Sequence, residues 1–301
     1  MRLFAKILWI LLVTLVVFEV ITAGKDSSGS LTADQSIIGN IRRLITNLAT
    51  QFGLKLTPRS LKLTDIVYKD PDDQKRLTGK LACFSDCQEG KTPGVLVVHD
   101  WDGRDEFEDG KAEALAKLGY AAFALDVYGE KGGTPTRNRE LMSPLLKDRK
   151  LLLRRLEAGL AELKKVSVVD TKKIGAIGFC FGGLAVLDMA RAGLDLRGVV
   201  SFHGSLTAPP DSLPKPPIRA KILVTHGHED TSITPDKVLA FEEEMSERDA
   251  DWQVHIYGNR TLHAFTRPGG HHSSRTAYSP AADRRSWNAM RYFFDEVFHL
   301  L

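Results

Sequence analysis

The sequence predicts an α/β fold in which helices cover both faces of a mostly parallel central sheet. Short apolar runs, typical of strands buried on both faces, recur at residues 94–99, 121–126, 174–179, 198–202 and 222–225. Between them, residues 109–118 and 147–163 carry apolar side chains three or four positions apart, as helices packed on a sheet do. The candidate functional residues all lie in the loops that follow these predicted strands. In a parallel sheet, the loops at the carboxyl ends of the strands gather around one crevice.

The first element of the chain predicts location. Arg2 and Lys6 precede an apolar run at residues 7–18, and Ala23 offers a small residue of the kind that precedes a signal-peptidase cleavage site. Residues 1–23 are therefore expected to be a cleaved secretory signal or, as a longer apolar stretch, an uncleaved membrane anchor. Either alternative predicts a secreted, periplasmic or otherwise extracytoplasmic protein, in the second case tethered to a membrane by its N-terminus.

Residues 24–60 are expected to link this segment to a folded domain at residues 61–301. The first part of the linker is polar, and the rest predicts an amphipathic helix because apolar residues recur at helical spacing: Ile37, Ile41, Leu44 and Leu48. This helix packs on the flank of the domain or lies on a membrane or partner surface.

Charge and cysteine content limit the function classes. The 301 residues include 41 basic and 38 acidic ones, a net charge of +3 without a basic stripe, which argues against a nucleic-acid partner. Among the three cysteines, Cys83 and Cys87 are close enough in sequence to pair in an oxidising compartment, which leaves Cys180 unmatched. The alternative is that all three are reduced.

The segment after residues 121–126 has two parts. Asp126 ends the predicted strand and is expected to hydrogen-bond the following turn rather than act in catalysis. Residues 129–144 are polar and contain glycine and proline, which predicts a lid over the crevice or a long surface connection.

Residues 174–190, IGAIGFCFGGLAVLDMA, predict a strand, a tight turn at Cys180 and a helix that begins near Gly183. Gly178 and Gly182 bracket the cysteine as the glycines of a G-x-S-x-G nucleophile elbow bracket its serine. A strained, positive-φ turn needs such room around it. At the helix N-terminus the dipole is expected to favour a thiolate. Alternatively, Cys180 is a small core residue after a buried strand.

Two later strands end in residues that complete a catalytic pattern. The run KILVTHGHED leads to Asp230, with Glu229 as the neighbouring alternative, and the alternating strand at residues 252–257 leads to His263. Nucleophile, acid and histidine follow one another in this order in enzymes with the elbow. The predicted roles are therefore Cys180 as nucleophile, His263 as base and Asp230 as the group that orients the imidazole.

The other histidines are expected to have structural or solvated positions. His99 and His203 follow strands and are predicted to hydrogen-bond loops, with pocket lining as the alternative. The remaining loop histidines lack an HExxH or CxxC frame, so no metal site is predicted; they are His226, His228, His271 and His272.

The succession of GVLVVHDWDG, LAKLGYAAFALDVYG, IGAIGFCFGG, VVSFHG, VTHGHED and HAFTRPG resembles the dienelactone hydrolase family of α/β-hydrolases, from about residue 65 onwards. The resemblance implies a single-domain α/β-hydrolase fold, the triad named above, and hydrolysis of an ester or lactone without a metal or organic cofactor. It also implies an oxyanion hole built from the backbone N–H groups of Trp101 and Phe181.

The same resemblance covers residues that tune the site. Asp100 stands where the family has a glutamate that keeps the resting cysteine neutral, and Asp is one methylene shorter. Dienelactone-specific members of the family bind the substrate carboxylate with two arginines. Arg267 matches the position of one of them, or it is a surface arginine. The position of the other falls on Glu130 or Lys131. An acidic residue there would repel a carboxylate, so a neutral ester, lactone or thioester is expected.

Together these observations predict an exported or membrane-tethered hydrolase that cleaves a small-molecule ester, lactone or thioester through a cysteinyl acyl-enzyme. Two alternatives stay open. The same residues suit acyl transfer to another acceptor, and a catalytically idle hydrolase fold would serve as a scaffold at a membrane.

Overall fold

The computed structural model describes residues 60–85, 87–210, 214–269 and 273–299. The predicted signal or anchor at residues 1–23 and the predicted helix of the linker lie outside these residues, as do His271 and His272. None of the helices in the described ranges combines the length and apolar character that crossing a bilayer requires.

The described strands are β1 (Leu61–Lys69), β2 (Arg76–Phe84), β3 (Thr92–Val98), β4 (Ala121–Leu125), β5 (Val169–Phe179), β6 (Gly198–Phe202), β7 (Lys221–Gly227) and β8 (Trp252–Tyr257). They form one sheet in the order β1-β2-β4-β3-β5-β6-β7-β8. The six strands from β4 to β8 in this order run parallel, which confirms the predicted architecture. An antiparallel hairpin of β1 and β2, which was not predicted, extends the sheet beyond β4.

The described helices are α1 (Glu106–Lys117), α2 (Pro135–Lys147), α3 (Arg149–Lys165), α4 (Phe181–Arg191), α5 (Pro235–Glu247) and α6 (Pro280–His299). The sheet has a hydrophobic cluster on each face. Helices α3, α4 and α5 contribute to the cluster on one face, and α1 and α6 contribute to the cluster on the other. Successive side chains of β3 point to opposite faces of the sheet and so belong to both clusters. Leu96 and Val98 lie in the first cluster, and Val95 and Val97 lie in the second. The predicted helices on both faces are confirmed.

The segment predicted as a lid or a long connection contains helix α2. Thr134 caps this helix by accepting the N–H of Arg137 at 3.2 Å, and Pro135 occupies its first turn. Before the helix, Gly132 passes so close to the carbonyl oxygen of Asp102 that a Cβ atom would collide with it. This segment therefore contacts the loop after β3 through Gly132 and Asp102.

Two local features secure the hairpin. The buried Asp70 at its turn accepts hydrogen bonds from Arg154 at 2.6 Å and Arg155 at 3.1 Å, both on α3. Burial alone would raise the pKa of Asp70, but these partners lower it to about 2. At the end of β2, Cys83 and Cys87 form a disulfide, which is the first of the two alternatives that the sequence left open.

Cys180 is thereby left as the free thiol.

Candidate active site

Cys180 occupies the turn between β5 and α4 with φ 48° and ψ −106°, the strained conformation that the elbow pattern predicts. A Cβ atom on Gly178 would collide with the carbonyl of Gly182, and one on Gly182 would collide with the carbonyl of Val98. Close backbone approach therefore explains both glycines. The helix begins at Phe181, two residues earlier than predicted.

Two hydrogen bonds join Cys180, His263 and Asp230. Nε2 of His263 lies 3.0 Å from Sγ of Cys180, and Nδ1 of the same ring lies 2.6 Å from Oδ2 of Asp230. The other oxygen of Asp230 accepts the backbone N–H groups of Ser232 at 2.8 Å and Ile233 at 3.3 Å, which fixes the buried carboxylate. The structure thus brings together the three residues predicted from separate loops.

The alternative acid, Glu229, has a different environment. Its buried Oε2 has no hydrogen-bond partner among the residues that the structure describes, whereas the neighbouring Asp230 contacts the imidazole. Of the two candidate acids, Asp230 is therefore the one whose carboxylate contacts His263.

The Asp230–His263 pair stabilises its own charges. Burial raises the pKa of Asp230 and lowers that of His263, but the hydrogen bond between them and their opposite charges outweigh burial in both cases. As a result the pKa of Asp230 lies below its usual value and that of His263 lies above it. The carboxylate is ionised and can support an imidazolium.

The thiol of Cys180 is neutral at rest, so the expected thiolate is wrong. Burial raises its pKa well above the ordinary value, and the charge of Asp100 and a hydrogen bond with that carboxylate raise it further. The backbone N–H of Phe181 at the start of α4 lowers it, but by less. A helix N-terminus contributes about 1 kcal/mol, which desolvation and a nearby carboxylate exceed.

Both predicted oxyanion donors lie at the site, and both are engaged. The backbone N–H of Trp101 donates to Oδ1 of Asp100 at 2.5 Å, and that of Phe181 donates to the cysteine sulfur. Asp100 therefore contacts the nucleophile and one of the donors at once. A substrate oxygen could take the N–H of Trp101 only if the Asp100 carboxylate moves.

His99 and His203 hold loops, as predicted. His99 contacts the carbonyl of Asp100 through Nδ1 at 2.6 Å, and His203 contacts Oγ1 of Thr266 through Nε2 at 2.8 Å. Burial lowers the pKa of both rings, so both are neutral. In the described ranges, no group of three or more His, Cys, Asp and Glu side chains is arranged to hold a metal ion.

Asp126 has the predicted structural role, because it accepts the N–H groups of Tyr128 at 2.7 Å and Gly129 at 3.0 Å in the following turn. Glu130 pairs with Lys75 and Arg137 at the surface. Its charge is balanced there, so the predicted repulsion of a carboxylate by Glu130 is not supported.

Arg267 is neither a free surface arginine nor an open carboxylate clamp. Its guanidinium forms ion pairs with Asp105 and, at 3.1 Å, with Asp102, and it stacks 4.9 Å above the ring of Phe107. These contacts link the loop after His263 to the loop after β3.

Glu108 is a residue that the sequence reasoning missed. Its fully buried carboxylate accepts the backbone N–H of Asp100 at 3.3 Å and that of Asp105 at 3.0 Å, so it braces the loop that carries Trp101. Burial raises its pKa to about 8. The D-x-x-E spacing of Asp105 and Glu108 is a capping-box signature that could have revealed it.

Comparison with known proteins identifies the family of the chain. The model of the Dienelactone hydrolase family matches residues 81–298. An uncharacterized protein of Caenorhabditis elegans is 43% identical over 148 residues, 48% of this chain and 92% of that protein. A probable 2-oxo-3-(5-oxofuran-2-ylidene)propanoate lactonase of a Bradyrhizobium species is 29% identical over 210 residues, 66% of this chain and 82% of the relative.

Among solved structures, a dienelactone hydrolase-like promiscuous phosphotriesterase from metagenomic libraries superposes with a TM-score of 0.74 at 32% identity. The alignment covers 79% of this chain and 99% of the other.

Proposed function

The chain belongs to the dienelactone hydrolase family, and we propose that it hydrolyses a small ester or lactone with Cys180 as nucleophile, His263 as base and Asp230 as orienting carboxylate. The observation that carries this proposal is the pair of hydrogen bonds that runs from Asp230 through His263 to the sulfur. A neutral thiol next to an accepting imidazole is the starting state for nucleophilic attack.

The first half-reaction acylates Cys180. As the sulfur attacks the substrate carbonyl, its proton passes to Nε2 of His263 over 3.0 Å, and Asp230 stabilises the imidazolium that forms. The carbonyl oxygen becomes an oxyanion, for which the N–H groups of Trp101 and Phe181 are the proposed donors. When the intermediate collapses, His263 gives its proton to the leaving alkoxide, and a thioester remains.

Asp100 links substrate binding to activation of the thiol. Its carboxylate holds the N–H of Trp101 and also raises the pKa of Cys180. A substrate oxygen that takes over this N–H displaces the carboxylate from the sulfur. Loss of that negative charge then favours the thiolate when the carbonyl is in place.

The second half-reaction uses water. His263, neutral again, removes a proton from a water molecule that attacks the thioester carbonyl, and the proton then returns to the cysteine sulfur as the acid leaves. No redox change occurs in either half.

The experiment is turnover of an activated aryl ester by the full chain and by the Cys180→Ala and His263→Ala variants. We expect a burst of one phenolate per active site, an acylated Cys180 in the intact mass, and loss of both in the Cys180 variant. Equal rates in all three proteins would end the catalytic proposal and favour the scaffold alternative. Partition of the acyl group to an added alcohol or amine would favour acyl transfer.

We also propose that the protein works outside the cytoplasm, with residues 1–23 as signal or anchor. The Cys83–Cys87 disulfide supports this, because disulfides persist in oxidising compartments. Fractionation of cells that express the chain with and without residues 1–23 tests it. Equal retention of both forms in the cytosol would contradict it.

A further inference from the structure

The guanidinium of Arg267 is surrounded by carboxylates. Besides the ion pairs with Asp105 and Asp102, Nη1 of the arginine lies 3.8 Å from Oε1 of Glu108. Nη1 itself is buried and makes no hydrogen bond within the described part of the chain. The positive charge of Arg267 is therefore compensated by Asp102 and Asp105, beside a Glu108 that is protonated at neutral pH, and a further anion would find no uncompensated cation here.

This cluster is connected to the reacting residues through the backbone at both ends. Arg267 follows His263 in the same loop, where its N–H donates to the carbonyl of Ala264 at 3.2 Å. Asp102 directly follows Trp101, a proposed oxyanion donor. The ion pair thus bridges the loop of the base and the loop of the oxyanion donor.

Acidic side chains outnumber the guanidinium on this side of the site. Burial and the charge of Asp100 raise the pKa of Asp102 to about 6, and the guanidinium of Arg267 only partly opposes this. A carboxylate brought to Arg267 would face Asp102 and Asp105, which already pair with the guanidinium, and like charges at such distances repel.

We infer that Asp102 and Asp105 are specificity-determining residues: by occupying Arg267 they select esters and lactones without a carboxylate near the reacting carbonyl. The inference rests on the proposed hydrolysis and names its substrate class. It places the selection in two residues of the loop after β3, instead of at Glu130.

The kinetic test compares two sterically matched substrates, mono(4-nitrophenyl) adipate and its neutral methyl ester. We expect the wild type to prefer the neutral ester in kcat/KM by about tenfold or more. The Asp102→Asn, Asp105→Asn double variant should reduce this ratio by about tenfold, because Arg267 is then free to pair with the adipate carboxylate. Asparagine at position 105 can still cap α1.

Two variants serve as controls. Asp109→Asn removes the same charge from the same region, but Asp109 pairs with Arg104 at 2.6 Å and Lys80 at 3.0 Å, so the ratio should stay at the wild-type value. Adding Arg267→Gln to the double variant should abolish the gain toward the anionic ester.

A binding measurement separates this inference from the proposed reaction. Calorimetric titration with hexanoate and hexanamide needs no turnover, and the double variant should bind hexanoate about tenfold more tightly than the wild type, with hexanamide unchanged. If this shift occurs without hydrolysis of either ester, the charge selection stands and the proposed reaction fails.

A wild type that accepts both esters equally would overturn the inference. So would a folded double variant, or a folded Asp102→Asn single variant, that leaves both the kinetic ratio and the hexanoate affinity unchanged.

Discussion

Replacing Asp230 with asparagine removes the charge that orients His263 while keeping the shape of the side chain. The asparagine carbonyl can retain the N–H groups of Ser232 and Ile233, so its NH₂ group then faces Nδ1 of His263, where the wild type has a 2.6 Å hydrogen bond. Nδ1 must accept this hydrogen bond, and the ring proton moves to Nε2. Nε2 then presents an N–H instead of a lone pair to the sulfur of Cys180, 3.0 Å away.

The wrong tautomer and the loss of the charge that stabilises the imidazolium act together. Both penalties are large here because Asp230 is fully buried, so water cannot replace the carboxylate. We expect kcat/KM to fall by about 10⁴-fold, which corresponds to about 5 kcal/mol of transition-state stabilisation.

The assay is the initial rate of 4-nitrophenyl acetate hydrolysis, with thermal unfolding to show that the variant is folded. Glu229→Gln is the matched control, since it neutralises the adjacent carboxylate, for whose Oε2 the described ranges contain no hydrogen-bond partner. This control should stay within about twofold of the wild type, as surface and near-surface changes usually have small effects. A folded Asp230→Asn protein with more than about a tenth of the wild-type kcat/KM would refute the reasoning.

Three further predictions concern the titratable residues His263, Asp100 and Asp70. Burial lowers the pKa of His263, but Asp230 raises it by more, so the pKa lies above its ordinary value of about 6.5. Because only the neutral ring can take the thiol proton, log kcat/KM should rise with pH through a midpoint above about 6.5. A lower midpoint would contradict this. Asp100→Asn should speed alkylation of Cys180 by iodoacetamide at neutral pH, because a negative neighbour of the sulfur is lost; an unchanged rate would contradict the assigned cause. Asp70→Asn should lower the free energy of unfolding by about 3 kcal/mol in urea titrations, since it breaks a buried ion pair. With a folded-state pKa of about 2, Asp70 should stabilise the wild type fully above about pH 4 and lose this effect as pH falls toward 2; flat stability across that range would argue against it.

The parallel strands could be predicted because both of their faces are buried. An element such as β4, with every residue buried, leaves an uninterrupted apolar run in the sequence. Strand β1 leaves no such run, since it lies at the edge of the sheet and exposes Leu63 and Val67 among charged residues. Helix α2 was not predicted because the segment before it is rich in glycine and proline, which are typical of loops. Thr134 before Pro135 is nevertheless a helix-start signature.

The residues of the site could be assigned only as far as chain order and backbone position determine them. Cys180, Asp230 and His263 each follow a strand, so topology alone brings them near one another. The charge state of the thiol depends on Asp100, and the partners of Arg267 depend on how two loops meet. Asp105 and Arg267 are 162 positions apart, and no local pattern reports such a pairing.

The sheet order also governs when the chemistry becomes available during synthesis on a ribosome. Cys180, the proposed nucleophile, emerges directly after β5, in the middle of the sheet, whereas His263, the proposed base, follows β8, the last strand and one of the two sheet edges. A nascent chain that ends at β7 therefore holds Cys180 but not yet His263. The set of residues proposed to catalyse hydrolysis is therefore complete only once the chain beyond β8 has been synthesised.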